Sequence, residues 1–384
     1  MIDRPLRILW VNGWTRVGGA ERAQLTVFRE LCAQNWHISA VFPVEVERSL
    51  IDAAYAAGIK TIHHAPLTQL SQTLDPYVLS GYMTRWVRSV SALGRAIAET
   101  KPDLIHLACL YDIPFCAAAA RIYKVPMFWW IENPERFNTL NRSILNICGL
   151  KGLAGTSTAI LQAAEDAGVR ANTKMFVPNA YDDRVFDSFD SSSATTSTQL
   201  SSVVKIGFSG IFQSRKGLLE LCTAFGELSK SVPNVELLLA GDGDAVYVNE
   251  MKQILSESGT ISKVQFLGYL KTQSQVREFY RNIDIFVMLS KREGLSVAML
   301  EAMACGTPAA ILSPWGDDVI EHGVNGIRLS DDLPETFVKE IQPLVLNPAL
   351  RHQLGRAAAK TVTSMFSPKV VAQKLENFYR SGIQ

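Results

Sequence analysis

Short apolar runs alternate with stretches of helical periodicity along almost the whole of this 384-residue chain. A short apolar run bounded by turn residues is typical of a strand that is buried on both faces, as strands of parallel sheets are. The alternation therefore predicts an α/β fold of doubly wound, Rossmann-like domains whose parallel sheets are covered by helices. The runs are Arg7 to Val11, Ile38 to Phe42, Leu104 to Leu107, Met127 to Ile131, Val204 to Phe208, Val235 to Ala240, Val264 to Phe266, Ile285 to Leu289 and Ala309 to Leu312.

A polar segment divides these runs into two series. Residues 187–202 include the sequence SSSATTSTQLSS, which has almost no apolar side chains and is typical of a flexible linker. We expect an N-terminal domain over residues 1–186, a C-terminal domain over residues 203–365 and a capped final helix over residues 366–384. Open α/β sheets bind ligands at the carboxyl ends of their strands, so two such domains predict an interdomain cleft.

The composition is that of a soluble globular protein. Hydrophobic residues make up 47% and charged residues 20% of the chain, and the formal net charge of +1 favours neither nucleic acid nor membranes as a partner of the whole molecule. No stretch approaches the roughly 20 apolar residues of a membrane span, and charges interrupt the N-terminal sequence where a signal peptide would be apolar. We therefore expect a cytoplasmic protein with reduced cysteines.

Two glutamates flank a predicted strand-to-helix turn in the C-terminal half. A strand from Asp284 to Leu289 and a helix from Val297 to Ala304 place Glu293 just before the helix and Glu301 within it. Backbone N–H groups at a helix N-terminus attract phosphate, and carboxylates accept hydrogen bonds from hydroxyl groups. A nucleotide sugar is a ligand that contains both phosphate and hydroxyl groups. The alternative is that Glu293 and Glu301 belong to a solvated helix face.

The same segment resembles a known family. The run E-G-L-S-x-x-x-L-E-A-M-A-C-G-T-P, from Glu293 to Pro308, is similar to that of the retaining glycosyltransferases of family 4, which have the GT-B fold. The resemblance is strongest from Val203 to Leu329 and weakest from Val44 to Lys101. It implies an acceptor-binding N-terminal domain, a C-terminal domain that binds a UDP- or GDP-sugar, and a final helix that crosses back to the first domain. The implied acceptor is a hydroxyl group, with lipid-linked glycans among the candidates, in polysaccharide or glycoconjugate biosynthesis.

Family roles transfer onto matching residues of the C-terminal domain. Lys216 matches a phosphate-binding lysine that precedes a glycine, and many relatives also have an arginine where this chain has Ile211. Arg215 is a candidate to replace that arginine; the alternatives are a site with one cation fewer, or a dibasic pair that is only solvated surface. Glu293 would hold sugar hydroxyls and Glu301 the ribose. The predicted catalytic residues are Glu293, Lys216 and Arg215, and the predicted donor-binding residues are Gly19, Asp242, Leu270, Gly294, Leu295, Ser296 and Glu301.

Two sites in the N-terminal domain are candidates for contact with the sugar or the acceptor. Gly18 and Gly19 end the loop after the first strand, and in the family a similar glycine pair faces the cleft. The alternative for this pair is an ordinary tight turn. Glu132 stands near the position where many relatives have a histidine that contacts the transferred sugar; its alternative is a loop or helix-start carboxylate.

The sequence Asp242-Gly243-Asp244 spells D-x-D, a metal-binding signature of another glycosyltransferase fold. One aspartate pair supplies too few ligands for a divalent site, and the resemblance instead places this loop near the nucleotide. It also places the main chain around Leu270 against the base. We therefore expect neither a metal nor another cofactor.

The segment 79–97 is a candidate membrane contact. Its arginines, Arg85, Arg88 and Arg95, share one face of a predicted helix. Such a helix either packs its apolar stripe on the domain core or lies on an anionic bilayer. The apolar stripe consists of Leu79, Tyr82, Met83, Trp86, Val87, Val90, Leu93 and Ile97.

Retention of anomeric configuration is implied by the resemblance alone. We find no well-placed nucleophile for a double displacement, which fits a front-side path assisted by the leaving-group oxygen. The alternatives are a GT-B nucleotide-sugar epimerase and a non-catalytic nucleotide-sugar-binding subunit. A dinucleotide oxidoreductase is disfavoured because the first strand is not followed by G-x-G-x-x-G.

Overall fold

The structure is a computed structural model that describes residues 4–67, 76–135, 137–186 and 203–383. The expected linker, residues 187–202, lies outside the described residues. The chain forms two compact units, one comprising Met1–Ala180 with Pro368–Gln384 and the other Tyr181–Ser367.

The first unit is built on a parallel sheet. Its strands are β1 (Arg7–Val11), β2 (His37–Pro43), β3 (Thr61–Ala65), β4 (Leu104–Leu107), β5 (Met127–Ile131), β6 (Leu150–Gly155) and β7 (Ala171–Phe176). They form a seven-stranded sheet in the order β3-β2-β1-β4-β5-β6-β7. The helices between them are α1 (Gly19–Ala33), α2 (Arg48–Ala56), α3 (Pro76–Thr100), α4 (Ile113–Tyr123), α5 (Thr139–Cys148) and α6 (Thr158–Asp166).

The second unit repeats this plan. Its strands are β8 (Val204–Ser209), β9 (Val235–Ala240), β10 (Val264–Gly268), β11 (Ile285–Met288), β12 (Ala309–Leu312) and β13 (Gly326–Leu329), in the order β10-β9-β8-β11-β12-β13. Its helices are α7 (Leu218–Ser231), α8 (Ala245–Glu257), α9 (Gln273–Asn282), α10 (Val297–Ala304), α11 (Pro334–Leu346) and α12 (Pro348–Met365). The prediction of two doubly wound parallel sheets is confirmed, and the structure adds the strands β3, β6, β7 and β13.

Successive side chains of the central strands enter opposite faces of the first sheet. Leu9 and Trp129 pack with α3 and α4 on one face, whereas Trp10 and Trp130 pack with α1 and the last helix, α13 (Pro368–Ile383), on the other. All four side chains are almost fully buried. A strand buried on both faces has no polar alternation, which explains why these strands read as continuous apolar runs.

Helix α13 is anchored in the first unit by aromatic side chains. The Tyr379 hydroxyl lies 2.6 Å from Nδ1 of His106, and the Phe378 and Phe128 ring centroids are 5.2 Å apart. Burial lowers the pKa of His106 to about 3, so its imidazole is neutral. The final segment of the chain thus completes the core of the first unit.

Helix α3 packs its apolar stripe on the core of the first unit. Leu93 and Ile97 are buried there, and Trp86 and Val90 pack against them. Val87, expected on the same stripe, is instead 58% exposed. The side chains of Leu79, Tyr82 and Met83 lie outside the described part of the structure. Among the described residues, no helix combines the length and apolar character of a membrane-spanning segment.

Candidate functional site

Loops at the carboxyl edge of the second sheet are joined by backbone hydrogen bonds. The Gly210 N–H donates to the Ala240 carbonyl at 3.0 Å, and the Gly241 N–H donates to the Gly268 carbonyl at 2.8 Å. Gly241 has a φ of +145°, and a Cβ atom there would lie 1.8 Å from the Gly210 oxygen. A side chain is excluded at this position, so glycine permits the loops after β8, β9 and β10 to meet.

Lys216 and Glu293 form an ion pair at this edge. The Lys216 ammonium donates to Oε2 of Glu293, and the Arg215 guanidinium lies 3.8 Å from the same oxygen. The side chains of Lys216 and Glu293 are only 12% and 9% exposed, whereas that of Arg215 is 42% exposed. The three predicted catalytic residues are therefore brought together, with Lys216 as the more enclosed cation.

The turn that carries Lys216 is held against the end of β11. Gly217 has a φ of +69°, and a Cβ atom there would lie 2.0 Å from the Leu289 carbonyl oxygen. The Lys291 N–H donates to the Arg215 carbonyl at 2.8 Å. These close approaches fix two segments that are distant in sequence, and so fix the separation of Lys216 from Glu293.

Helix α10 begins after Ser296, as predicted. The Ser296 hydroxyl accepts a hydrogen bond from the Met299 N–H at 3.3 Å and so acts as the N-cap. Gly294 and Leu295 form the loop before it, with the Leu295 side chain buried. The predicted donor-binding loop therefore lies between the Glu293 ion pair and the helix N-terminus.

Glu301 is buried in the second turn of α10 beside a tyrosine that the sequence analysis missed. The Tyr280 hydroxyl donates to Oε2 of Glu301 at 3.1 Å and lies 3.2 Å from the Ser209 hydroxyl. The Thr307 hydroxyl donates to the Tyr280 carbonyl at 2.7 Å. No local pattern distinguished Tyr280 from an ordinary apolar residue of α9, because its partners lie on other elements.

Asp242 and Asp244 serve the local backbone. The Gly243 N–H donates to Oδ1 of Asp242 at 2.8 Å, and Asp244 caps α8 by accepting the Val246 N–H at 2.8 Å. Leu270 follows β10 on the same edge and is half-buried. Within the described ranges, no group of three or more His, Cys, Asp or Glu side chains is arranged to hold a metal ion.

The glycine pair of the first unit opens helix α1. The Gly18 N–H donates to Oε2 of Glu21 at 2.8 Å, and α1 begins at Gly19. A Cβ atom at Gly18 would lie 2.8 Å from that oxygen, whereas one at Gly19 would meet nothing within 4 Å. Gly19 therefore faces open space at the carboxyl edge of the first sheet.

Glu132 is buried at the end of β5. Neither of its carboxyl oxygens makes a hydrogen bond of ordinary geometry among the described residues. Burial raises the pKa of Glu132 well above its usual range and the nearby Glu21 carboxylate raises it further, while Gln24 opposes the rise. This environment favours the protonated form of Glu132, which can donate as well as accept a hydrogen bond.

Asp112 is a second buried acid that the sequence analysis missed. Its Oδ2 accepts a hydrogen bond from the Gly13 N–H at 2.8 Å, and burial raises its pKa to about 7. Asn12 is also buried, and its Oδ1 accepts a hydrogen bond from the Trp14 N–H at 3.0 Å. Asp112 and Asn12 together hold the loop that follows β1.

Comparisons with known proteins find similarity to glycosyltransferases. Residues 200–361 match the family model described as glycosyl transferases group 1. The lipopolysaccharide core biosynthesis glycosyltransferase LpsE of Rhizobium meliloti is 30% identical over 163 residues, 42% of this chain and 45% of the relative. The capsular polysaccharide biosynthesis glycosyltransferase CapM of Staphylococcus aureus is 26% identical over 182 residues, 47% and 46% of the two chains. The chain thus spans about half the length of the curated relatives it matches.

Solved structures share the fold over nearly the whole chain. Anabaena Alr3699/HepE in complex with UDP and glucose has a TM-score of 0.79 and 19% identity, over 98% of this chain and 100% of that one. Sucrose-phosphate synthase from Thermosynechococcus elongatus has a TM-score of 0.75 and 16% identity, over 98% of both chains. The chain therefore has the two-sheet fold of GT-B glycosyltransferases, and its residues 200–361, which include the Lys216–Glu293 pair and Glu301, match the glycosyl transferases of group 1.

Proposed function

We propose that this chain is a retaining glycosyltransferase that moves a sugar from a nucleoside diphosphate sugar to an acceptor hydroxyl. The observation that carries the proposal is the pairing of Lys216 with Glu293 just before α10, with the buried Glu301 in the second turn of that helix. One enclosed cation and two buried carboxylates, placed beside a helix N-terminus, match the phosphate and the hydroxyl groups of such a donor.

The donor diphosphate would exchange places with Glu293 at Lys216. A phosphate oxygen and the Glu293 carboxylate compete for the same ammonium group, and a diphosphate carries more negative charge than one carboxylate. Arg215, at 3.8 Å from Glu293, would add a second cation from the exposed side. Both cations would stabilise the departing diphosphate in the transition state, without a metal ion.

Glu293 and Glu301 would then bind different hydroxyl groups of the donor. Once Lys216 binds phosphate, Glu293 is released to accept hydrogen bonds from the transferred sugar. Glu301, oriented by the Tyr280 hydroxyl, would accept those of the ribose. The backbone around Leu270 and Asp242 would face the base, which leaves few side chains to select its identity. Structures of Alr3699/HepE in complex with UDP and with UDP-glucose support UDP-sugars as the first donors to test, ahead of GDP-sugars.

The first unit would supply contacts to the sugar and the acceptor. The open space beside Gly19, together with the adjacent Gly18, would admit a diphosphate or an acceptor close to the backbone. The Glu132 carboxyl group, whose raised pKa favours the protonated form, would donate a hydrogen bond to a sugar or acceptor oxygen. Retention without a protein nucleophile follows the front-side path, in which the leaving-group oxygen takes the acceptor proton. We propose polysaccharide or glycoconjugate biosynthesis in the cytoplasm as the setting, in line with what LpsE and CapM are named for.

Incubation with single UDP- and GDP-hexoses tests this function. Chromatography and mass spectrometry would measure release of the nucleoside diphosphate and the fate of the sugar, with and without simple glycoside acceptors. Transfer, or slow hydrolysis of one donor, is expected. Conversion of the donor into an epimer without an acceptor would favour the epimerase, and nucleotide binding without any turnover would favour a non-catalytic subunit.

A further inference from the structure

Helices α3, α4 and α5 form one outer layer of the first unit. Tyr123, at the end of α4, lies against Gly94 of α3, where an added Cβ atom would come within 3.2 Å of its ring. The Arg121 guanidinium of α4 donates to the Ile147 carbonyl of α5 at 2.6 Å. The inner faces of all three helices contribute to the same core. Their outer faces therefore form a continuous surface.

The charges of this layer are almost all positive. Within the bounds of the three helices the only acid is Glu99, which lies 3.9 Å from His63. None of the arginines of the layer forms an ion pair with an acid among the residues that the structure describes, whereas the whole chain has a net charge of only +1. Five arginines and one glutamate give the three helices together a formal charge of +4. These arginines are Arg85, Arg88 and Arg95 on α3, Arg121 on α4 and Arg142 on α5.

Large apolar side chains are exposed among these arginines. Ile122 is 70% exposed, Ile147 66% and Tyr123 44%, and Val87 projects from α3 in the same layer. Arg142 and Ile147 also line a surface cavity of ≈ 490 Å³, together with the exposed Arg170. Exposed apolar side chains bordered by cations are typical of a contact surface rather than of a solvated one.

We propose that this α3–α5 surface binds the face of a lipid bilayer that contains anionic phospholipids. Arginine side chains are attracted to anionic headgroups, and their planar guanidinium groups fit phosphate. Isoleucine and tyrosine side chains between them would enter the interfacial region of the bilayer. A nucleic acid would match the charge but would leave the exposed isoleucines in water. The contact differs from the one expected from segment 79–97, because Trp86, Val90, Leu93 and Ile97 of that stripe pack on the core, whereas the arginines of α3 lie on its outer face.

Vesicle co-sedimentation of the full chain tests the proposal. The wild type is compared on phosphatidylcholine vesicles with and without phosphatidylglycerol, at low and high salt. The charge variant is Arg88→Glu/Arg95→Glu/Arg142→Glu. Its matched control is Arg356→Glu/Lys360→Glu/Lys369→Glu, which makes the same change of net charge at exposed positions of α12 and α13. Thermal unfolding of each protein verifies folding, and a milder variant with glutamine at positions 88, 95 and 142 replaces the charge variant if that one fails to fold.

We expect the wild type and the control to bind anionic vesicles, with high salt weakening both. The charge variant should bind roughly 100-fold more weakly or worse, since each basic residue near an anionic surface contributes about one factor of five. Ile122→Ser/Ile147→Ser should weaken vesicle binding but leave heparin binding unchanged. Absence of wild-type binding to anionic vesicles, or equal losses in the charge variant and the control, would overturn the proposal. Binding to RNA without binding to vesicles would assign the surface to nucleic acid instead.

Discussion

Opposite effects on nucleotide binding are expected from the two members of the Lys216–Glu293 ion pair. Lys216→Met removes the enclosed cation that would bind the diphosphate. A hydrogen bond to a charged group contributes about 1.5–3 kcal/mol, so the dissociation constant of the preferred nucleoside diphosphate should rise roughly 10- to 150-fold. Glu293→Gln removes the competing carboxylate. Because a partly exposed ion pair contributes up to about 1 kcal/mol, the same nucleotide should bind up to about fivefold more tightly.

Isothermal titration calorimetry with UDP, GDP and ADP measures both effects. Lys230→Met is the matched control, since Lys230 lies on α7 in the same unit, is 66% exposed and pairs with Glu227 away from the site. Its nucleotide affinity should equal that of the wild type. Although Glu293→Gln should bind the nucleotide well, it should lose sugar transfer, because the amide is a weaker acceptor for sugar hydroxyls than the carboxylate.

Equal weakening of nucleotide binding by Lys216→Met and Glu293→Gln would refute the reasoning. That result would mean that the ion pair only maintains the local structure. The unfolding free energy verifies that the pair is broken, because each single variant should be destabilised by about 1–3 kcal/mol, between the values for exposed and buried pairs. The double variant Lys216→Met/Glu293→Gln should recover part of that loss and still bind nucleotide weakly.

Three further predictions concern other parts of the candidate site. Tyr280→Phe removes the hydroxyl that contacts Glu301 and should lower the unfolding free energy by about 1 kcal/mol. It should also lower the nucleotide affinity measured by calorimetry; an unchanged affinity would contradict the role of Glu301 in binding the ribose. Because burial raises the Asp112 pKa to about 7, the folded state holds a proton on Asp112 that the unfolded state releases, and wild-type stability should fall as pH rises from about 4 to 7. Asp112→Asn should flatten this part of the pH profile of the unfolding free energy, measured by denaturant titration. An unchanged slope would contradict the raised pKa of Asp112. Gly19→Ala should leave the melting temperature unchanged, since a Cβ atom meets nothing there, but should reduce donor turnover; full turnover would argue against ligand approach at this glycine.

Sequence patterns were sufficient where the determinants are local. Helix α10 was predicted with its observed ends because Ser296 caps it and Gly306 and Pro308 follow it. The central strands were predicted because burial on both faces makes them continuously apolar.

The missed strands have determinants that lie elsewhere in the chain. The edge strands β3 (TIHHA) and β7 (ANTKMF) are half-exposed and carry polar residues. Strand β6 has a glycine at position 152 because the Phe128 ring occupies the space of a side chain; a Cβ atom at Gly152 would lie 2.4 Å from that ring. Gly152 therefore reflects the aromatic packing of the neighbouring strand β5.

Candidate site residues could be recognised one at a time, but their partners could not. Lys216 and Glu293 are separated by 77 positions, and the pair exists because Gly217 permits the turn after β8 to approach β11. Tyr280 and Glu301 meet through the packing of α9 against α10. The high pKa of Glu132 depends on burial and on Glu21, neither of which follows from the residues beside it.

Retaining transfer is tested most directly by the anomeric configuration of the product. The wild type would be incubated with the UDP- or GDP-hexose that it consumes and with a simple glycoside acceptor, and proton NMR would follow the anomeric signal from the start of the reaction. We predict release of the nucleoside diphosphate, a glycosidic product with the configuration of the donor, and turnover at least 10-fold slower in Lys216→Met, from the loss of about 1.4 kcal/mol or more of transition-state stabilisation. An inverted product, no release from any donor by the folded protein, or wild-type rates in Lys216→Met would contradict the proposed function.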